Sequence, residues 1–131
     1  MNARAVAFLV CAAYSSAQAG TLTTLHTFTG SPNDGSFPGS NVVIGPGGVL
    51  YGTTLYGGEA PFCGTGCGTV FSLTPPASPG GRRTKKTLYQ FTGGSDGAYP
   101  NGVVARKNSV LYGTTQAGGS SRLGTVFSLT P

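Results

Sequence analysis

Leu50-Tyr51-Gly52-Thr53-Thr54, followed by Gly57-Gly58, returns as Leu111-Tyr112-Gly113-Thr114-Thr115, followed by Gly118-Gly119. Gly68-Thr69-Val70-Phe71-Ser72-Leu73-Thr74-Pro75 then returns unchanged as residues 124–131. An internal repeat decides the architecture, because each copy is one structural unit that cannot bury its apolar surface alone. Working outward, residues 25–29 match 88–92, Asp34-Gly35 matches Asp96-Gly97, and Val42-Val43-Ile44 matches Val103-Val104-Ala105. Copy one is the longer, chiefly through an insertion between Gly58 and Gly68.

Each copy therefore divides into four short apolar segments with turn signals between them. The Asp-Gly pairs mark turns, since both residues tolerate positive φ. The segments are rich in Val, Thr, Tyr, Phe and Leu, which suit a pleated surface. Several are apolar at consecutive positions, as expected of sheets covered on both faces. Four strands in so short a unit, each unit stacked on the next, is the pattern of a propeller blade. The expected fold is all-β, with two four-stranded antiparallel blade-like repeats forming an incomplete propeller. The expected organisation is a signal peptide over residues 1–19, repeat 1 over 20–75, a Pro/Gly/basic linker over 76–86 and repeat 2 over 87–131.

The order Leu-x-x-Phe-Thr-Gly (88–93), Asp-Gly-x-x-Pro (96–100), Leu-Tyr-Gly-Thr-Thr (111–115), Gly118-Gly119 and Gly-Thr-Val-Phe-Ser-Leu-Thr (124–130) resembles the GloVer tandem repeat. The likeness covers nearly all of the chain beyond residue 19. Proteins of that family are exported bacterial proteins with many tandem copies, often ending in a surface-anchoring tail, and without an established activity. The resemblance implies export and propeller-like packing, and it implies no reaction. This chain departs from the pattern in having two copies and in reaching Pro131 with no anchor. Kelch and WD-type repeats are weaker comparisons, since the chain contains no tryptophan.

Met1-Asn2-Ala3-Arg4 is a short basic start, residues 5–14 are small and apolar, and Ala17-Gln18-Ala19 offers a small-x-small cleavage site before Gly20. That order is what a secretory signal peptide requires. The apolar run is far shorter than the roughly 20 residues of a membrane-spanning helix. Val10 stands before Cys11 where a lipoprotein site wants a small residue. The expected location is secreted or in a bacterial cell envelope, with no membrane span once the signal is removed. The remainder is one small domain at most, and small domains bury a low fraction of their surface. With 23 glycines, nine prolines, 8% charged residues, six tyrosines and seven phenylalanines, the composition is that of a Gly-rich all-β protein rather than a disordered chain.

Two blades pose a counting problem. A closed propeller takes roughly four to eight, and linear arrays need about three units. An exposed apolar face of more than a few hundred Å² marks an interface or a liability. Three outcomes follow: assembly with copies of itself, docking on another repeat protein, or a truncated remnant of a longer array. The remnant is favoured because copy two ends flush with the repeat boundary.

Chemistry is sparse. Cys63 and Cys67 flank Gly64-Thr65-Gly66 inside the longer insertion, and Cys11 leaves with the leader, so the exported chain carries an even pair in an oxidising compartment. A short-loop disulfide between Cys63 and Cys67 is the favoured reading, pinning a loop tip and adding little to global stability. A metal or redox pair is the alternative, but zinc wants four ligands and only His26 and three carboxylates stand beside these thiols. Asp34 and Asp96 read as turn residues, and carboxylates one blade apart do not converge as an acid–base pair. A single histidine supports no catalytic triad. Of the residues unique to one copy, only His26, Glu59 and Arg122 are chemically able. No catalytic, cofactor-binding or metal site is expected, and the chain is not expected to be an enzyme.

Thr53-Thr54 and Thr114-Thr115 read as strand residues whose hydroxyls meet turn backbone. Gly64-Thr65-Gly66 lacks the lysine and helix of a phosphate loop. The run Arg82-Arg83-Thr84-Lys85-Lys86 would hint at nucleic acid in a cytosolic protein. In an exported one it reads as a solvated linker, with contact to anionic envelope polymers through Arg82, Arg83, Lys85 and Lys86 as the functional alternative. The function expected is an exported, non-enzymatic repeat protein, a binding or surface-assembly module, with a truncated fragment of a longer repeat array as one form of it. The alternative is a fragment of an extracellular propeller enzyme acting on polysaccharide.

Overall fold

A computed structural model describes residues 20–60, 62–107 and 110–131, with only the backbone of 104–107. The expected signal peptide lies outside the described residues. The strands are β1 (Gly35–Ser36), β2 (Val43–Ile44), β3 (Leu50–Thr54), β4 (Tyr56–Gly57), β5 (Thr69–Thr74), β6 (Thr84–Gln90), β7 (Ala98–Lys107), β8 (Val110–Ala117) and β9 (Val126–Leu129), with a 3₁₀ turn at Pro46–Gly48. The fold is all-β, as expected, with no α-helix among the described residues. The strands form three open sheets, ordered β1-β4, β2-β3-β5-β6 and β7-β8-β9, all antiparallel.

The two copies use the same ladder. In copy two β7 and β8 are continuous, whereas copy one breaks the equivalent hairpin into β1 with β4 and β2 with β3. Pro38 falls between β1 and β2, where a residue without an N–H interrupts pairing. Its counterpart Pro100 stays within β7, and the register shifts between Pro100 and Val103 instead. The inner turns match closely. Thr54 Oγ1 donates to the Tyr56 carbonyl at 2.9 Å and shares a hydrogen bond with Thr69 Oγ1 at 2.8 Å. Thr115 Oγ1 donates to the Ala117 carbonyl at 3.0 Å and meets Thr125 Oγ1 at 2.9 Å. A Cβ on Gly35 would collide with Thr54, and one on Gly97 with Thr115. The Asp-Gly dipeptide thus serves the packing of a buried threonine as well as the turn.

The fourth strand of the first blade comes from copy two. β6 pairs along β5 with Val70 opposite Tyr89, Phe71 opposite Thr87 and Leu73 opposite Lys85. Residues 84–86, at the end of the basic run, are therefore strand. Residues 25–29, the copy-one counterpart of 88–92, are in no strand. The first blade consequently has four strands and the second has three, β9 being an edge. The core lies between the blades: Tyr51, Val70, Cys63 and Cys67 from copy one pack with Phe91, Ala98, Val103 and Leu111 from copy two.

Candidate assembly interface at the second blade

The junction between the blades is built from three kinds of contact. Backbone pairing of β6 on β5 continues past the strand, where the Phe91 N–H donates to the Gly68 carbonyl at 3.0 Å and the Tyr99 N–H to the Cys67 carbonyl at 2.8 Å. Thr53 Oγ1 accepts the Gly102 N–H at 2.9 Å and bonds Ser40 Oγ at 3.1 Å. Aromatic rings then carry the strand from one blade to the next. Phe91 lies edge-on to Phe127 of β9 at 5.1 Å, so the β6 segment is held by its backbone to the first blade and by Phe91 to the second. Phe28 meets Phe71 of β5 at the same 5.1 Å. The first segment of copy one thus sits on its own blade as its counterpart does.

Cys63 and Cys67 are joined, with Cα atoms 5.2 Å apart. The expected disulfide is present, but its setting is the blade junction and not a loop tip. Both cysteines are buried, the Gly66 N–H donates to the Cys63 carbonyl, and the Gly57 N–H to the Thr65 carbonyl at 2.8 Å. The pair faces Gly93 of copy two, where a Cβ would lie 2.8 Å from Cys67 Sγ and 3.2 Å from Cys63 Sγ.

At the far side of the second blade the same surface is bare. Val70 is 0% exposed, and its counterpart Val126 is 82% exposed. Cys67 is 0% exposed, and Leu123 in its place is 86% exposed. Ser72 and Leu73 are buried, whereas Ser128 is exposed and Leu129 half-buried. Thr53 is buried in the junction and Thr114 is exposed. A groove of about 250 Å³ runs beside β9, lined by Tyr89, Phe91, Asp96, Val126 and Phe127 among others. Leu123 and Val126 carry no chemistry in the sequence. The signal for them is that β9 repeats β5 exactly in residues while the strand that should cover it has no third occurrence within the described chain.

The titratable groups are absorbed into equivalent turns. Asp34 Oδ2 accepts His26 Nε2 at 3.0 Å and the Thr29 N–H at 3.1 Å, and Oδ1 accepts the Gly35 N–H at 2.8 Å. Asp96 Oδ2 accepts the Tyr89 hydroxyl at 3.0 Å and the Thr92 N–H at 2.8 Å. His26 and Tyr89 fill the same role from the same position. Burial opposes ionisation of Asp34, but Lys85, the Gly35 N–H, His26 and Thr29 outweigh it and hold the carboxyl at about 2. Burial likewise opposes Asp96, and the Thr92 hydroxyl and N–H with Tyr89 lower it overall. Burial and the Asp96 carboxylate push the Tyr89 phenol up.

The basic run is not a uniform solvated linker. Lys85 Nζ lies 2.6 Å from Asp34 Oδ1, and Arg83 donates to the carbonyls of Gly48 at 2.9 Å and Leu73 at 3.2 Å. Asp34 thus partners Lys85 on β6, and the two carbonyls partner Arg83 just ahead of the strand. Arg82 and Lys86 remain exposed, as do Glu59 and Arg122. Among the described residues no three His, Cys, Asp or Glu side chains gather as a metal site. Among the same residues no helix is long and apolar enough to cross a membrane.

No curated protein and no solved structure matches the chain. The model of one family, the Gloeobacter/Verrucomicrobia repeat, matches residues 12–131. The match takes in both copies, the strand shared between the blades and the bare edge, and the chain is a member of the Gloeobacter/Verrucomicrobia repeat family.

Proposed function

We propose that this is an exported, non-enzymatic repeat module that acts by binding and surface assembly. The observation that carries the reading is the three-stranded second blade, with Leu123 and Val126 exposed where their copy-one counterparts are buried. Apolar surface of this kind, adjoining an unpaired strand edge, is characteristic of an interaction site. The disulfide fits an oxidising compartment. The engagement of Asp34, Asp96 and His26 in turn hydrogen bonds supports a structural role for them. Contact with anionic envelope polymers falls to Arg82 and Lys86, the exposed members of the basic run.

Size-exclusion chromatography with light scattering tests the reading. The expected result is a species larger than one chain, retaining the β-sheet circular dichroism signal. A folded monomer at every concentration, with no partner, overturns it.

A further inference from the structure

The junction within this chain is a template for a junction between chains. Residues 69–74 and 125–130 are identical, yet only the first set is covered. What covers it is the segment that opens copy two, and this chain carries one other segment of that type, residues 21–29. Among the described residues no strand pairing is assigned to 21–29, although Phe28 is already seated on Phe71 as Phe91 is on Phe127. The segment therefore has its side chains placed, and of its backbone only the Thr29 N–H, held by Asp34 Oδ2 at 3.1 Å, is engaged among the described residues.

Resting on the assembly reading above, we propose that β9 of one chain accepts residues 21–29 of a second copy as an added antiparallel strand, in the register of β6 on β5. Transferring that register places Val126 opposite His26, Phe127 opposite Thr24 and Leu129 opposite Leu22. The Phe28 N–H then donates to the Gly124 carbonyl and the Phe37 N–H to the Leu123 carbonyl, matching Phe91 to Gly68 and Tyr99 to Cys67. Phe37 has φ 56 and Tyr99 φ 58, a backbone conformation that bulky residues rarely hold. In Tyr99 it accompanies the bond to Cys67 across the junction. Phe37, 69% exposed, holds the same conformation, with its carbonyl accepting the Leu55 N–H at 3.0 Å and its N–H left for the junction.

The contact joins two different surfaces, so it is head-to-tail and closes into a ring or runs on as a filament. Four to eight blades complete a propeller, which corresponds to about two to four chains. Lys85 is replaced by Leu22 and Arg83 by Gly20 in the aligned segment. The contact between chains thus lacks the ion pair of the internal junction, and added salt does not weaken it.

The test uses two variants of the full chain at exposed positions. Val126→Lys spoils the acceptor edge, since a charge is set where apolar packing is needed. Thr23→Pro with Thr24→Pro spoils the donor, because adjacent N–H groups face opposite sides of a strand and one of the two prolines must remove a donor. The wild type is expected to assemble, each variant alone to lose at least tenfold in association, and the two mixed to form a dimer and nothing larger. The dimer also reports that both variants fold, since each supplies the surface that the other lacks. Variants that assemble like the wild type, or a mixture that stays monomeric, overturn the proposed junction while leaving assembly by another surface standing. A wild type that is monomeric throughout overturns both.

Discussion

Lys85 of β6 and Asp34 of the first turn form an ion pair at 2.6 Å across the boundary between the copies, with both side chains largely buried. The pair ties the shared strand to the blade it completes, and Lys85 also lies 6.0 Å from the centre of the Phe28 ring. Removing one member leaves the other buried without its counter-charge. Asp34→Asn is predicted to cost about 2–4 kcal/mol. Asp96→Asn, in a more exposed turn with no lysine, is predicted to cost about 1 kcal/mol. Urea denaturation of the two variants side by side checks the difference, and equal losses would falsify the role given to Lys85.

Stability should fall in acid with a defined shape. The Asp34 carboxyl is lowered from 3.8 to about 2, so below pH about 4 the unfolded chain binds a proton that the folded chain resists. Its contribution is complete above that range and is lost as pH falls toward about 2. Asp96 is shifted in the same direction and adds to the same arm. Urea midpoints measured from pH 7 down to pH 2 should show this decline, and Asp34→Asn should flatten it. An unchanged acid arm in that variant would show that other carboxylates set it.

Gly93 and Gly30 are counterparts at positive φ, 82° and 89°, in different surroundings. Alanine at Gly30 meets nothing within 4 Å, so only the backbone cost of about 1 kcal/mol applies. Alanine at Gly93 meets both disulfide sulfurs as well and is predicted to cost about 2–3 kcal/mol. Thermal unfolding distinguishes the two. Equal shifts in Tm would mean that the disulfide loop yields without resistance.

Replacing Cys63 and Cys67 together by alanine is predicted to cost about 2 kcal/mol, the chain-entropy value for a short loop. Because both sulfurs are buried in the core between the blades, the loss should appear in the main cooperative transition. Hydrogen exchange provides the check: faster exchange at Phe91 and Tyr99, whose N–H groups bond to Gly68 and Cys67, is expected. Change confined to residues 62–66 would count against a junction role.

The strands themselves were legible from residue type and turn chemistry, since Leu-Tyr-Gly-Thr-Thr lies on β3 and β8, and Val-Phe-Ser-Leu on β5 and β9. What the sequence could not show was the phase of the repeat. A periodic pattern has the same period wherever the unit is cut, so residues 88–92 could belong to the blade before or after them. Alternation in Thr84-Lys85-Lys86-Thr87 was masked by its charge, and the burial of Lys85 depends on Asp34, far away in sequence. The disulfide was readable from cysteine arithmetic, but its place between the blades was not. Leu123 and Val126 are ordinary loop and strand residues, and only the comparison with buried Cys67 and Val70 marks them as uncovered.

The handing of β6 from one copy to the preceding blade has a genetic consequence. Duplication or loss of a whole copy by recombination moves a segment that is out of step with the folded unit. In the junction proposed above, every such product would keep one donor segment ahead of its first blade and one acceptor edge on its last, whatever its number of copies. Array length would then change without redesigning either surface, because plug and socket travel together in each unit of DNA.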